Sequence, residues 1–543
     1  MDSSLLLDAL VLVAYFAIIM GIGVSQRSKS GSVEGFALGD RQIAWWAVLA
    51  SILAAEISAA TFLGAPESGY LKRNWTYAQF AIGTILARII VSFLFIPIFY
   101  RHGVISLYEF LGTRFGPVTR KFASATFLVT RVLAMGTRLY VSAIILVIAW
   151  AMAFGLPEDP VESAWLKFWL FTGAVIFVTV MTTIYTSIGG IRAVIWTDFI
   201  QVGVLIAALG FSVIFLLLKI PGGWETASAH IAQPAFWDFA RTPEPGAWAW
   251  LKNVLTSDYT IWAAIIGSTF VTMATHGIDQ DTVQRMLSAK NRRESAKATI
   301  VSGLIDLPMV SCFILVGLLL YVYYDIHPDP NLPRGTNGEI VGREVFPYFI
   351  LNVMPPGMRG LVTAGILATA MGSLSTALNA LGTSFARDFV IPRREARGEI
   401  SEAERVRILR WSTVIFAGLI IVVGVATAYY MAHNPKAAII PLVLGILGFT
   451  FGSLLGVFFL AIFTRSRGND AGNVLAMLAA VAVVVFFSSA ALQKILGFQE
   501  TFVLAFPWRI TLGTFVTFGV ACCFRTPASR IQTAREFDAS HPA

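Results

Sequence analysis

Thirteen runs of apolar residues, each long enough to cross a hydrocarbon layer of about 30 Å, punctuate this chain and decide what it can fold into. They lie near residues 5–25, 44–70, 77–100, 122–154, 166–187, 193–219, 257–280, 297–324, 359–385, 408–432, 437–463, 470–492 and 505–524. Lipid offers no partner to a backbone amide, so runs of this length predict helices, and the chain reads as an all-α, polytopic membrane protein of about 13 transmembrane helices. Composition agrees. Of 543 residues, 56% are hydrophobic and only 13% charged, and the mean hydropathy of +0.72 lies outside the range of soluble domains. The net charge of +8 does not make a nucleic-acid surface, because Lys and Arg fall in short clusters between the runs. Cys312, Cys522 and Cys523 offer neither metal spacing nor a disulfide framework and read as packing residues. Ahead of the first run stands Asp2, without a basic region or a small-residue cleavage site, which predicts a retained helix rather than a removable signal.

The loops supply an orientation. Arg27, Lys29 and Arg41 follow the first run, and alternating from there places Arg114, Arg120 and Lys121, the Arg285 to Lys297 cluster, the Arg387 to Arg407 cluster, Arg465 and Arg467 on the same side. The opposite loops, such as "PEDPVESA" and "YYDIHPDPNLP", are acidic or mixed, with Lys72 and Arg73 as the exception. The excess of positive charge marks the first side as cytoplasmic, which predicts a plasma-membrane protein with its N-terminus outside and its C-terminus inside.

Polar groups inside the runs are where function is expected. Glu56 sits in "AAEISAATF", residues 54–62, among small residues that allow a helix to unwind, although small residues also pack helices tightly. An ionised side chain near the bilayer centre costs roughly 2.5–3.5 kcal/mol on the insertion scale, so it faces a cavity or a partner. A second polar stripe, "ATAMGSLSTALN" at 368–379, repeats hydroxyls at helical spacing. Such oxygens suit an alkali cation, and they equally bond back to their own helix. Asp198 and Asp306 are further acids at membrane depth, and Arg88, Arg131 and Arg138 are the cations. Arg131 and Arg138 are seven residues apart, two turns of one helical face. Either arginine has two uses: it can grip a solute carboxylate, or it can pair permanently with an acid such as Glu56.

These pieces carry a resemblance. "FALGDRQIAWWAVLASILAAEISAATFLG", "SLYEFLGTRFG", "GGIRAVIWTDFIQ", "DQDTVQRMLSAKN" and "LATAMGSLSTALN" follow one another as in the sodium/solute symporter family, which includes sodium/glucose cotransporters, proline permeases and bacterial sialic acid transporters. The resemblance implies a five-plus-five inverted-repeat (LeuT-like) core over 44–463, preceded by a leading helix and loop at 1–43 and followed by two helices and a short tail at 464–543. It implies a broken helix at 44–70 and a mate at 257–280 broken near Gly277. Carried over residue by residue, it assigns the common sodium site to the carbonyls of Ala54, Ile57 and Thr369 and to the positions of Gly372 and Ser373, where Gly372 lacks the usual hydroxyl. Asp198, Ser375 and Thr376 match a second sodium site. Glu56, Ser58, Thr61, Tyr77, Thr275, His276 and Asp306 match solute contacts, to which Arg131 and Arg138 are added from their place in the helix. In the sialic acid branch the arginine of this helix aligns with Ala134 here.

The expected function is therefore sodium-coupled import of a small polar solute, with Na+ as the co-transported ion and the bilayer as surroundings. Two acids facing the cavity oppose an anion, so the reading leans slightly to a sugar-like solute over a small organic anion such as a monocarboxylate or sialic acid. A sensor module on the same fold is disfavoured by the short tail. No nucleophile–base pair or metal cluster appears in the runs, which argues against an enzyme.

Overall fold

The computed structural model describes residues 3–26, 31–154, 159–231, 235–242, 246–334, 338–433 and 439–540, and among them the apolar runs are all helical. Helix α1 is Ser3–Ser25. The second run is two helices, α2 (Trp45–Glu56) and α3 (Ala59–Lys72), bent by 60° where they meet. There follow α4 (Phe80–His102), α5 (Pro117–Phe154) and α6 (Pro160–Lys219). The seventh run opens with a π-helical turn at Ala263–Gly267 and continues as α7 (Ser268–Gly277), which breaks and restarts as α8 (Gln280–Met286). Helices α9 (Arg292–Ile326), α10 (Met358–Phe385), α11 (Glu402–His433), α12 (Ile439–Phe463), α13 (Asp470–Ser488) and α14 (Phe506–Cys522) complete the bundle.

Helix α6 runs 60 residues, about 90 Å at 1.5 Å per residue, three times what one crossing needs. It holds two of the expected crossings. Gly190, at φ 60 and ψ −152, turns the chain between them. A side chain there is barred twice, by the positive φ and by the Phe36 carbonyl, which would lie 2.4 Å from a Cβ.

Burial ranks the helices. In its most apolar window α10 is 94% buried and α1 only 17%, so α10 is enclosed on every side while α1 lies at the rim. Helix α10 packs along α6 and also meets α2, α5 and α11, which brings its polar stripe to the end of α2.

Close approach of backbones fixes α3 against α9. A Cβ on Gly317 would stand 2.0 Å from the Pro66 carbonyl oxygen, and one on Gly69 would stand 2.4 Å from that of Ile314. Small residues at such crossings replace the hydrophobic drive that lipid removes. Gly317→Ala is expected to destabilise the protein by roughly 1–3 kcal/mol. Gly173→Ala, where nothing lies within 4 Å, is the control. Thermal unfolding in detergent should show a lowered midpoint for the first only.

Candidate functional site

Helix α2 stops because Ile57 is extended, at φ −80 and ψ 95, and Ser58 starts α3 by accepting from the Thr61 amide at 3.4 Å. Serine is a preferred cap, and the last-turn carbonyls of α2 have no donors in their own helix. Helix α10 faces them. Ser373 Oγ donates to the Ala55 carbonyl at 3.1 Å, and a Cβ on Gly372 would lie 3.2 Å from the Ala54 carbonyl oxygen. The resemblance-derived cluster of Ala54, Ile57, Thr369, Gly372 and Ser373 therefore comes from the facing parts of α2 and α10. The Thr369 hydroxyl is used inside its helix, donating to Ile366 at 2.7 Å.

Gln201, which the sequence reading passed over, projects from α6 into this corner. Its Oε1 would lie 3.0 Å from a Cβ on Gly372. The side chain is 1% exposed and makes no hydrogen bond of full geometry among the described residues, with the Tyr15 and Tyr185 hydroxyls as its polar neighbours. An amide in an apolar run, three residues after Asp198, was the available signal.

Asp198, fully buried, accepts from Ser51 Oγ at 2.5 Å and from Ser375 Oγ at 3.5 Å, and Arg285 Nη2 lies 3.8 Å away. Ser51 and Arg285 are thus additional members of the second cluster. Thr376 bonds to the Gly372 and Ser373 carbonyls, both at 3.0 Å, rather than to Asp198. Asp279 caps α8 by accepting from the Asp281 amide at 3.1 Å. Arg131 ties α5 to that break, 3.1 Å from Asp279 and paired with Asp281, which also lies 3.5 Å from Arg285.

Between α2, α3, α4, α5, α7 and α9 lies a cavity of about 290 Å³. Glu56, Ser58, Thr61, Tyr77, Arg138, Thr275 and Asp306 all line it. His276 and Arg131 are outside its lining. His276 Nδ1 sits 3.1 Å from the Thr275 hydroxyl, and Arg131 is occupied at the α7–α8 break. The partner of Glu56 is also different from the one considered above. It is Arg88 of α4, fully buried, whose Nη1 donates to Ser302 Oγ at 2.8 Å while Nη2 pairs with Glu56. Arg138 forms no ion pair, and the Asp306 carboxylate accepts no hydrogen bond, among the described residues.

A model of the sodium:solute symporter family matches residues 36–480. The chain belongs to this family. It is 29% identical over 486 residues to the sodium/sialic acid symporter NanT of Aliivibrio fischeri, covering 89% of this chain and 88% of that one. It is 28% identical over 486 residues to the human sodium-coupled monocarboxylate transporter 1, covering 88% and 72%. A solved Na+-coupled sialic acid symporter, in a substrate-bound outward-open state, superposes with a TM-score of 0.74 at 24% identity, over 95% of this chain and 96% of that one. The symporter fold that the resemblance implied, all-α and built as an inverted repeat, is the fold found. This family member is a multi-pass membrane protein that couples sodium to a small solute, with Na+ as the co-transported ion.

The pairing of Glu56 with Arg88 has a measurable cost when broken. Glu56→Leu leaves the fully buried Arg88 guanidinium alone and is expected to lose roughly 3–5 kcal/mol, much of which the double variant Arg88→Leu/Glu56→Leu regains. Arg138→Gln combined with Glu56→Gln should show no such recovery. Denaturation midpoints of these variants and of the single Arg138→Gln and Glu56→Gln variants, measured in detergent, check both statements.

Proposed function

We propose that this symporter imports a small organic anion with sodium, and that Arg138 holds the solute carboxylate. The observation that carries this is the division of labour among the arginines. Arg88 and Arg131 are held by internal acids, whereas Arg138 lines the cavity without one. A guanidinium offers a carboxylate two parallel donors, a fit that a neutral sugar does not use. The relatives named for sialic acid and monocarboxylates support the same reading. The sugar-like solute favoured from sequence rested on two opposing acids. With Glu56 neutralised by Arg88, that argument falls to one, and the anion takes its place.

The sodium ligands are read as the carbonyls of Ala54, Ile57 and Thr369 with the Ser373 hydroxyl. Gln201 Oε1 stands where the hydroxyl missing at Gly372 would reach. Asp198 and Ser375 form the second site. The N-terminus is read as outside and the C-terminus as cytoplasmic, around a transport core at 44–463.

In proteoliposomes an inward sodium gradient should drive uptake of lactate, and Arg138→Gln should abolish it. Arg138→Lys keeps charge without the fork and should retain a fraction. Sodium should raise solute affinity, and solute must raise sodium affinity by the same factor. Equal uptake in sodium and choline, or an unaffected Arg138→Gln, would sink the reading.

The ligand proposed at Gln201 has its own test. Gln201→Ala should raise the half-saturating sodium concentration by about tenfold, the loss of roughly 1.4 kcal/mol. Adding Gly372→Ser in that background should restore most of it, because the amide no longer crowds the new hydroxyl. Gly372→Ser alone should weaken sodium binding.

A further inference from the structure

Of the charged groups facing the cavity, Glu56 is neutralised by Arg88, so Arg138 and Asp306 are left to meet the solute. They come from different walls, Arg138 from α5 and Asp306 from the middle of α9, and they carry opposite charge. Asp306 is only 8% exposed, and the exposure it has is to the cavity. No protein donor reaches its oxygens among the described residues. A carboxylate in that position is expensive unless something in the cavity donates to it. Hydroxyls of Ser58, Thr61 and Thr275 line the same space, yet none of them bonds to it. The cavity is therefore bipolar rather than simply cationic.

We propose that Asp306 receives a hydrogen-bond donor carried by the solute, so that the transported class is a small carboxylic acid bearing a hydroxyl or ammonium group rather than a plain alkyl carboxylate. This rests on Arg138 as the carboxylate anchor. A plain alkyl acid satisfies Arg138 and leaves Asp306 desolvated against a methyl group. A solute with a donor at its other end satisfies both walls. Sites built around a buried hydrogen-bonding group reject analogues that lack the matching group far more strongly than apolar pockets reject a missing methylene. Asp306 thus sets specificity, while Arg138 sets the requirement for an acid.

The test uses two matched series, propanoate with lactate and alanine, and butyrate with γ-hydroxybutyrate and γ-aminobutyrate. Binding is read as sodium-dependent thermal stabilisation of the purified protein and as competition in sodium-driven uptake. In the wild type at least one donor-bearing acid should bind about tenfold or more tighter than its alkyl parent, and Asp306→Leu should shrink that ratio to about threefold or less. Asp306→Asn, equal in size and still an acceptor, should keep a preference for a hydroxyl and lose one for an ammonium, which separates the two sources of the donor. The proposal is overturned if the alkyl parents bind as tightly as every donor-bearing acid, or if Asp306→Leu leaves the ratio unchanged. Binding of no carboxylate in sodium would overturn the Arg138 reading as well. A wild type that shows no such selectivity while its carboxylate binding still depends on Arg138 would overturn this inference alone.

Discussion

A helix broken at the depth of the lipid tails releases carbonyls and amides where no water can serve them, and the surrounding protein is arranged to meet that exposure. The break after Glu56 is met by α10, whose Ser373 hydroxyl reaches the Ala55 carbonyl and whose Gly372 leaves room for the chain end to approach. The break after Gly277 is met by its own Asp279, which caps the next helix, and by Arg131 from α5. This is why α10 is the most enclosed long helix while α1 sits at the rim. A helix that must serve a broken neighbour cannot face lipid.

The apolar runs were legible in the sequence because they follow from local chemistry, and the first break because the family resemblance implies it where local chemistry permits it. A run of the right length has no alternative to a helix in lipid, and small residues around an acid permit a helix to unwind without requiring it. Pairing was not legible. Arg88, Arg131 and Arg138 are equivalent in a one-dimensional reading, because helical periodicity says which face a residue occupies and not which helix lies opposite. Only the packing of α4 and α2 side by side on α9 assigns Arg88 to Glu56. Gln201 was hidden for a related reason: in an apolar run an amide looks like one more packed polar group, and its meaning depends on the glycine across from it. Asp198 illustrates a partial success, since its serine partner on α10 was foreseen while Ser51 and Arg285 come from segments that carry no cation-binding pattern.

The cavity and the ion pairs beneath it differ in how they balance charge. In the cavity Glu56 and Asp306 stand against Arg88 and Arg138, acid for base. In the lattice that joins α5, α6 and the α7–α8 break, three carboxylates, Asp198, Asp279 and Asp281, stand against two guanidiniums, Arg131 and Arg285. Counted over these ion pairs, the lattice is left with a formal excess of one acid. A monovalent cation bound at the second site proposed above, beside Asp198, would complete the neutralisation and tie its occupancy to the same contacts that hold the broken helix against α5.

That uncompensated charge also couples the protein to the membrane potential before anything binds. A negative-inside potential exerts about 2.3 kcal/mol on each elementary charge that crosses 100 mV. Whatever fraction of the field the lattice traverses as the helices reorient, an empty binding region carrying an excess negative charge is driven away from the negative side. For the import proposed above, a resting voltage would therefore favour the return of the unloaded transporter to its outward-facing state, through a count of arginines and aspartates far from the surface.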